Sequence, residues 1–307
     1  MMKKTGMISI ALLLTFSLVG CDDARAKLKD ANQAVVTIDG KKITKGQIYA
    51  SMFAAVGQTT AVNDAMRVIT DAEVETTDDM MKEAQSTLDY YKSNYGQEKF
   101  ASYLRSTGMT EDEFVNTVVL PSQKEKTLYS QYALEQFTSL AKHYNPFKAT
   151  ILTFTNKDDA SAAIAALKDG AANVADVIQH YSLSSKGESE LITIDTTTYD
   201  SAALTYLRSA SSDDGWQMIP AGKEGTYYVV HLDSRIPDDF RDEFTEWAAQ
   251  QTAVQTEAKT YYFQKYNFHV YDIDLYNAIK SVDPNILVQD KQASPTPEAT
   301  ETPMANQ

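Results

Sequence analysis

The chain has 307 residues, 43% of them hydrophobic and 10% aromatic, enough to bury a core for two domains of ordinary size. Its formal charge is −14 with no basic cluster, which argues against nucleic acid as a partner and for solubility. A single cysteine excludes any internal disulfide, and only 12 glycines argue against a loop-rich or all-β body.

Lys3 and Lys4 precede an apolar run from Met7 to Val19. That run is too short to cross a bilayer as a helix, which takes about 20 residues, and has the length of a signal-peptide core. Leu18-Val19-Gly20-Cys21 follows and resembles the lipobox of bacterial lipoproteins. The resemblance implies removal of residues 1–20 and a diacylglyceryl group on the Cys21 sulfur. The lipidated chain would keep 287 residues, a charge of −16 and no free thiol, so thiol catalysis is excluded. Two acyl chains anchor a protein stably to a membrane, where one does so marginally. Residues 21–33 read as a polar tether.

Ala34 to Ile38 and Lys41 to Ile43 are expected to pair about the Asp39-Gly40 turn. Thr44 and Gln47 have capping-box spacing, opening a helix with Ile48, Met52 and Val56 on one face. Only helices are expected from there to His143. One runs over Asp78–Asn94 and another over Gln97–Ser106. Thr110 and Glu113 form a second capping box, opening a long helix that Pro121 should kink or split. Asn145-Pro146 ends the helical run.

The texture then becomes mixed. Lys148–Phe154, Glu190–Thr198, Trp216–Ile219 and Tyr227–Leu232 read as strands. Helices are expected from the Asn156 cap to Lys168, over Val174–Tyr181 and over Ser201–Leu207. Asp238–Lys265 reads as one long helix, its apolar stripe broken only by Gln251. Phe268–Tyr271 is expected to add a strand to the first hairpin, and Asp274–Ile279 to form a terminal helix. From about Gln289 the composition is that of a disordered tail. The fold class is therefore α+β. The long terminal helix needs helical partners, found only before residue 145, so both chain ends should share one helical domain.

The ordered pieces Val36-Thr37-Ile38-Asp39-Gly40-Lys41-Lys42-Ile43-Thr44, Gly108-Met109-Thr110-Glu111-Asp112-Glu113-Phe114, Leu167-Lys168-Asp169-Gly170 and Tyr227-Tyr228-Val229-Val230, together with the lipobox, resemble the PrsA foldase lipoproteins of Gram-positive bacteria, relatives of the chaperone SurA. The resemblance covers nearly the whole chain. It implies a helical SurA-like domain from residues 34–144 and 234–285, an inserted parvulin-like prolyl isomerase domain at 145–233, and a tail over 286–307. Active parvulins carry a histidine on the first strand and another on the last. Here those positions hold Thr150 (Ile151 if the frame slips by one) and Tyr228, and the glycine-rich loop is missing near Lys186–Leu191. His231 stands at an odd offset from Tyr228, so it does not substitute for the lost histidine.

No cofactor or metal site is expected, because His143, His180, His231 and His269 are far apart in sequence and no nucleotide-binding or hydrolase motif occurs. Tyr90, Tyr91, Trp247, Tyr261, Tyr262 and Phe263, with Met80, Met81 and Met109, are candidates for a client-binding surface or for plain core. The leading reading is a foldase anchored at the extracellular face of the cell membrane through the lipid on Cys21. Its partners would be unfolded secreted clients, with a homodimer left open. One alternative is an active isomerase working through the Thr150 and Tyr228 hydroxyls. A remote one is a solute-binding lipoprotein, which would need repeated βαβ units.

Overall fold

The computed structural model describes residues 28–289. The expected signal segment, Cys21, most of the expected tether and the expected tail from residue 290 lie outside them. The fold is mainly helical, with one two-stranded and one four-stranded antiparallel sheet among the described residues. The described residues divide into two compact units, one of residues 28–64 with 267–289, the other of Ala65–Tyr266.

In the first unit, β1 (Ala34–Ile38) and β2 (Lys41–Thr44) form the expected hairpin. The Thr44 capping box starts α1 (Lys45–Met52): Thr44 Oγ1 accepts from Gln47 N–H, and Gln47 Oε1 accepts from Thr44 N–H. A π turn at Phe53–Gly57 leads into α2 (Gln58–Glu73). The helical spacing of Ile48, Met52 and Val56 is real, but the stripe is not covered, and Met52 is 60% exposed. Phe268–Tyr271 does not extend the hairpin. The Gln289 amide takes the place of a strand neighbour, its oxygen accepting from Val270 N–H and its nitrogen donating to Val270 O.

In the second unit, Thr77 caps α3 (Asp78–Tyr95), and Gly96, at φ +80°, turns the chain into α4 (Gln97–Thr107). Gly108 ends α4 in the left-handed region, and the Thr110 box opens α5 (Glu111–Phe114). A π turn over Val115–Val119 carries the chain into α6 (Leu120–Glu135). Leu120 N–H bonds Val115 O five residues back, so the helix widens one turn before Pro121, which has no N–H to give. After α7 (Phe137–Tyr144) comes the second sheet, strand order β4-β3-β6-β5. Its members are β3 (Phe147–Phe154), β4 (Glu190–Ile192), β5 (Gln217–Pro220) and β6 (Tyr227–Ser234). Ala160, Ala163 and Val177, on α8 (Lys157–Lys168) and α9 (Val174–Tyr181), cover one face with Leu152, Phe154 and Val229. Leu204 and Leu207 of α10 (Ser201–Ser209) cover the other with Ile151, Val230 and Leu232.

The single helix expected over Asp238–Lys265 is two. It breaks at Gln250–Gln251 into α11 (Arg241–Ala249) and α12 (Thr252–Lys265). The break frees carbonyls at the end of α11. Glutamine amides satisfy two of them: Gln251 Nε2 donates to Trp247 O at 2.8 Å, and Gln255 Nε2 to Ala249 O at 3.0 Å. α11 packs on α6, with Phe244 fully buried and its ring 6.0 Å from that of Phe137. α13 (Ile273–Val282), in the first unit, is the expected terminal helix.

Phe244→Ala leaves a ring-sized hole beside α6 and should cost about 3–5 kcal/mol in urea unfolding, while Val68→Ala, at an exposed site, should stay within about 0.5 kcal/mol. Glu73 accepts from Lys265 Nζ and from Tyr266 O–H, and the Lys265 bond above all holds its carboxyl below the ordinary value of 4.5. A lowered carboxylate gives stability that is complete above the unfolded value and is lost as pH falls through the folded one. Glu73→Gln should therefore flatten the fall of stability below pH 4.5, read as urea midpoints against pH.

Candidate functional site

β3 and β6 pair residue by residue, with Thr150 opposite His231, Ile151 opposite Val230 and Thr153 opposite Tyr228. Directly opposed residues share a face, and alternate residues along a strand share it too. Thr150, His231 and Asp233 therefore lie on one side of the sheet and Tyr228 on the other. The two positions expected from the parvulin resemblance are not brought together. Ile151, the alternative if the frame slips, shares the Tyr228 face but is sealed in the core at 2% exposure.

Thr150 belongs to a polar cluster centred on Asp233. Asp233 Oδ2 accepts from Thr150 Oγ1 at 2.8 Å and from Ser189 Oγ at 2.5 Å, and Oδ1 meets His231 Nδ1 at 2.6 Å. The indole of Trp216 lies 5.0 Å from the imidazole. Ser189 gives its proton to the carboxylate rather than to the imidazole, so no activated nucleophile is built. The cluster ties β3, β6 and the loop before β4 together. His231 and Thr150 meet only across strands, which is why their partnership is not visible in sequence order. On the opposite face, Tyr228 meets the edge of Tyr199 at 6.1 Å, and Tyr199 O–H donates to Glu190 Oε2 at 2.7 Å. Burial first, then Glu190, push the Tyr199 phenol well above its usual value, so it stays a proton donor.

The other apolar candidates separate cleanly. Tyr262 and Phe263 are core, whereas Tyr90, Met81 and Tyr261 are exposed and Trp247 half-buried. Met80 and Met109 pack against the core of α3, α4 and α6. His143, His180 and His269 each lie against a neighbouring tyrosine, and no group of three metal-ligating side chains occurs among the described residues.

Tyr91 belongs to something larger. Tyr91 and Tyr95 stand one turn apart on α3, and their rings stack at 5.7 Å and 10°. Gly96 reverses the chain, so that Phe100 and Tyr103 of α4 face them. Tyr91 stacks on Phe100 at 6.3 Å, and Phe100 on Tyr103 at 6.4 Å. Phe114 of α5 meets Tyr91, Phe100 and Tyr103 edge-on at 5.5, 5.2 and 6.2 Å. These rings, with Lys99 and Val118, line a cavity of about 330 Å³. Phe100 and Phe114 are its buried floor, while Tyr95 and Tyr103 are exposed walls. Sequence reading places Phe100 and Tyr103 only within the helix expected over Gln97–Ser106 and Phe114 in the helix after the Thr110 box, and misses the groove. The available signal was the density of rings between Tyr90 and Phe114. Within the other unit, Tyr49, Phe53, Val56, Leu275 and Ala278, with Asp272 and Asp274, line a second cavity of about 460 Å³.

No family model and no curated protein sequence matches this chain. Solved structures of PrsA foldases are similar to it over most of its length. The foldase protein PrsA from Streptococcus pneumoniae is 18% identical, covering 80% of this chain and 98% of that one, with a TM-score of 0.44. The peptidylprolyl isomerase PrsA from Bacillus cereus is 16% identical, covering 83% and 99%, with a TM-score of 0.43. A structure of SurA-like chaperones from Campylobacter jejuni is 14% identical, covering 80% and 94%, with a TM-score of 0.22.

Asp233→Ala leaves the Thr150 hydroxyl, only 7% exposed, without its acceptor, and should cost about 1–3 kcal/mol in chemical unfolding.

Proposed function

We propose that this chain is an extracytoplasmic foldase that holds unfolded secreted proteins, anchored to the cell membrane through lipid on Cys21. The aromatic groove between α3, α4 and α5 carries the reading. Monomers seldom leave a well-formed apolar cavity walled by exposed tyrosines without a binding role. Tyrosine suits the task because its apolar ring and polar tip form contact area at small entropic cost. No covalent chemistry is required: weak contacts at several points keep a client from aggregating, and the acidic surface keeps the pair soluble. Among the described residues no helix is long and apolar enough to cross a membrane. In this reading residues 34–144 and 234–285 act as the chaperone part and 145–233 as a parvulin-like part.

The alternative, an active prolyl isomerase, needs one pocket that holds both hydroxyls. Thr150 and Tyr228 on opposite sides of the sheet, with the Thr150 hydroxyl committed to Asp233, favour holding over isomerisation.

Two measurements test the reading together. The soluble chain from Asp22 onward should suppress aggregation of an unfolded secreted protein at stoichiometric amounts. It should not accelerate X-Pro isomerisation in a short peptide beside an active parvulin, against a barrier of about 18–20 kcal/mol. Absent suppression, or clear acceleration that Thr150→Ala or Tyr228→Phe abolishes, would reverse the conclusion.

A further inference from the structure

The groove has a charge and a size that narrow what it accepts. Lys99 stands at its lining, exposed, and none of the described carboxylates pairs with it. The nearby Lys92 differs, being neutralised by Glu111 at 2.6 Å. The hydroxyls of Tyr91, Tyr95 and Tyr103 make no hydrogen bond to the described residues, so three phenol donors and one ammonium surround an apolar floor. α4 starts beside them at Gly96, whose missing side chain leaves the first-turn N–H groups without a side-chain cap, though Glu98 lies in the same turn. An apolar cavity of about 150 Å³ takes one benzene ring, so 330 Å³ accepts about two ring-sized groups.

We propose that this groove selects, in an unfolded client, an extended segment with two neighbouring aromatic side chains followed by an aspartate or glutamate. The rings stack among Tyr91, Tyr95, Phe100 and Tyr103 over the Phe114 edge. The carboxylate meets Lys99 and the free phenol hydroxyls. The Lys99 ammonium, standing at the edge of an apolar lining, favours a carboxylate over a neutral side chain through a charge-assisted hydrogen bond. The proposal rests on the foldase reading and gives that site its sequence preference.

The test uses the full-length chain in detergent micelles and two fluorescein-labelled peptides, Gly-Phe-Phe-Glu-Gly and Gly-Phe-Phe-Gln-Gly, amidated at the C-terminus. Fluorescence anisotropy at low salt should show the Glu peptide binding about fivefold tighter than the Gln peptide. Lys99→Ala should erase that ratio, bringing the affinity for the Glu peptide down to that for the Gln peptide. Tyr103→Ala should weaken both peptides about tenfold. Both substitutions are at exposed positions, and unchanged thermal unfolding confirms that the fold persists. Equal binding of the two peptides, or indifference to both substitutions, would overturn the proposal. So would full displacement by a synthetic peptide of residues 290–307 at equal concentration, which would identify the chain's own tail as occupant. Aggregation suppression by the same preparations separates the two readings. Suppression without peptide selectivity sinks the groove's preference alone, whereas selective peptide binding without suppression supports it and sinks the foldase reading.

Discussion

The β3–β6 pairing is the constraint on which the sheet layer depends. Both strands run eight residues and lie at the centre of the sheet, so each side chain is assigned a face by a period of two. That alternation sends Ile151, Val230 and Leu232 under α10, and Leu152, Phe154 and Val229 under α8 and α9. It also sends the Thr150 hydroxyl to Asp233 and Tyr228 to the opposite side. A shift of one residue in this register would swap the side chains of one strand between the α10 side and the α8–α9 side and part Thr150 from Asp233, so the pairing is strongly specified. The chemistry available to the sheet follows directly: a satisfied Asp–His–Thr–Ser cluster on one face and an aromatic packing surface on the other.

The helices in front of the sheet obey a different rule. Side-chain caps place several of the starts, with Thr44, Thr77, Thr110 and Asn156 all accepting first-turn N–H groups. Glycines at positive φ place the reversals at Gly96 and Gly108. Between those reversals α4 is held against α3, and rings that would otherwise be separate helix faces become one groove. The function proposed for this protein is thus a product of two short turns.

Much of this was legible in the residues. Capping boxes, the Asp39-Gly40 turn and the period-two strands are local signals, and the structure places most of their elements within a residue or two, although the strand expected over Glu190–Thr198 ends at Ile192. The errors arose where local pattern met tertiary context. The stripe from Phe240 to Tyr261 continues across Gln251, so periodicity sees one helix; side-chain amides that cover freed carbonyls allow two. Phe268–Tyr271 has strand composition, yet the Gln289 amide meets the backbone of Val270 in place of a strand. Ile48, Met52 and Val56 form an apolar face with nothing described over it, because spacing reports a face and not its cover. The groove and the Asp233 cluster were hidden for one reason: each unites residues from three segments, and no single-segment pattern contains them.

The most direct measurement is amide hydrogen exchange of the chain alone and with a permanently unfolded secreted client bound. The account predicts that client binding slows exchange across 91–118, around the aromatic groove, and leaves β3 and β6 unchanged. Protection confined to 147–234, with 91–118 unaffected, would contradict it and place the working surface on the sheet.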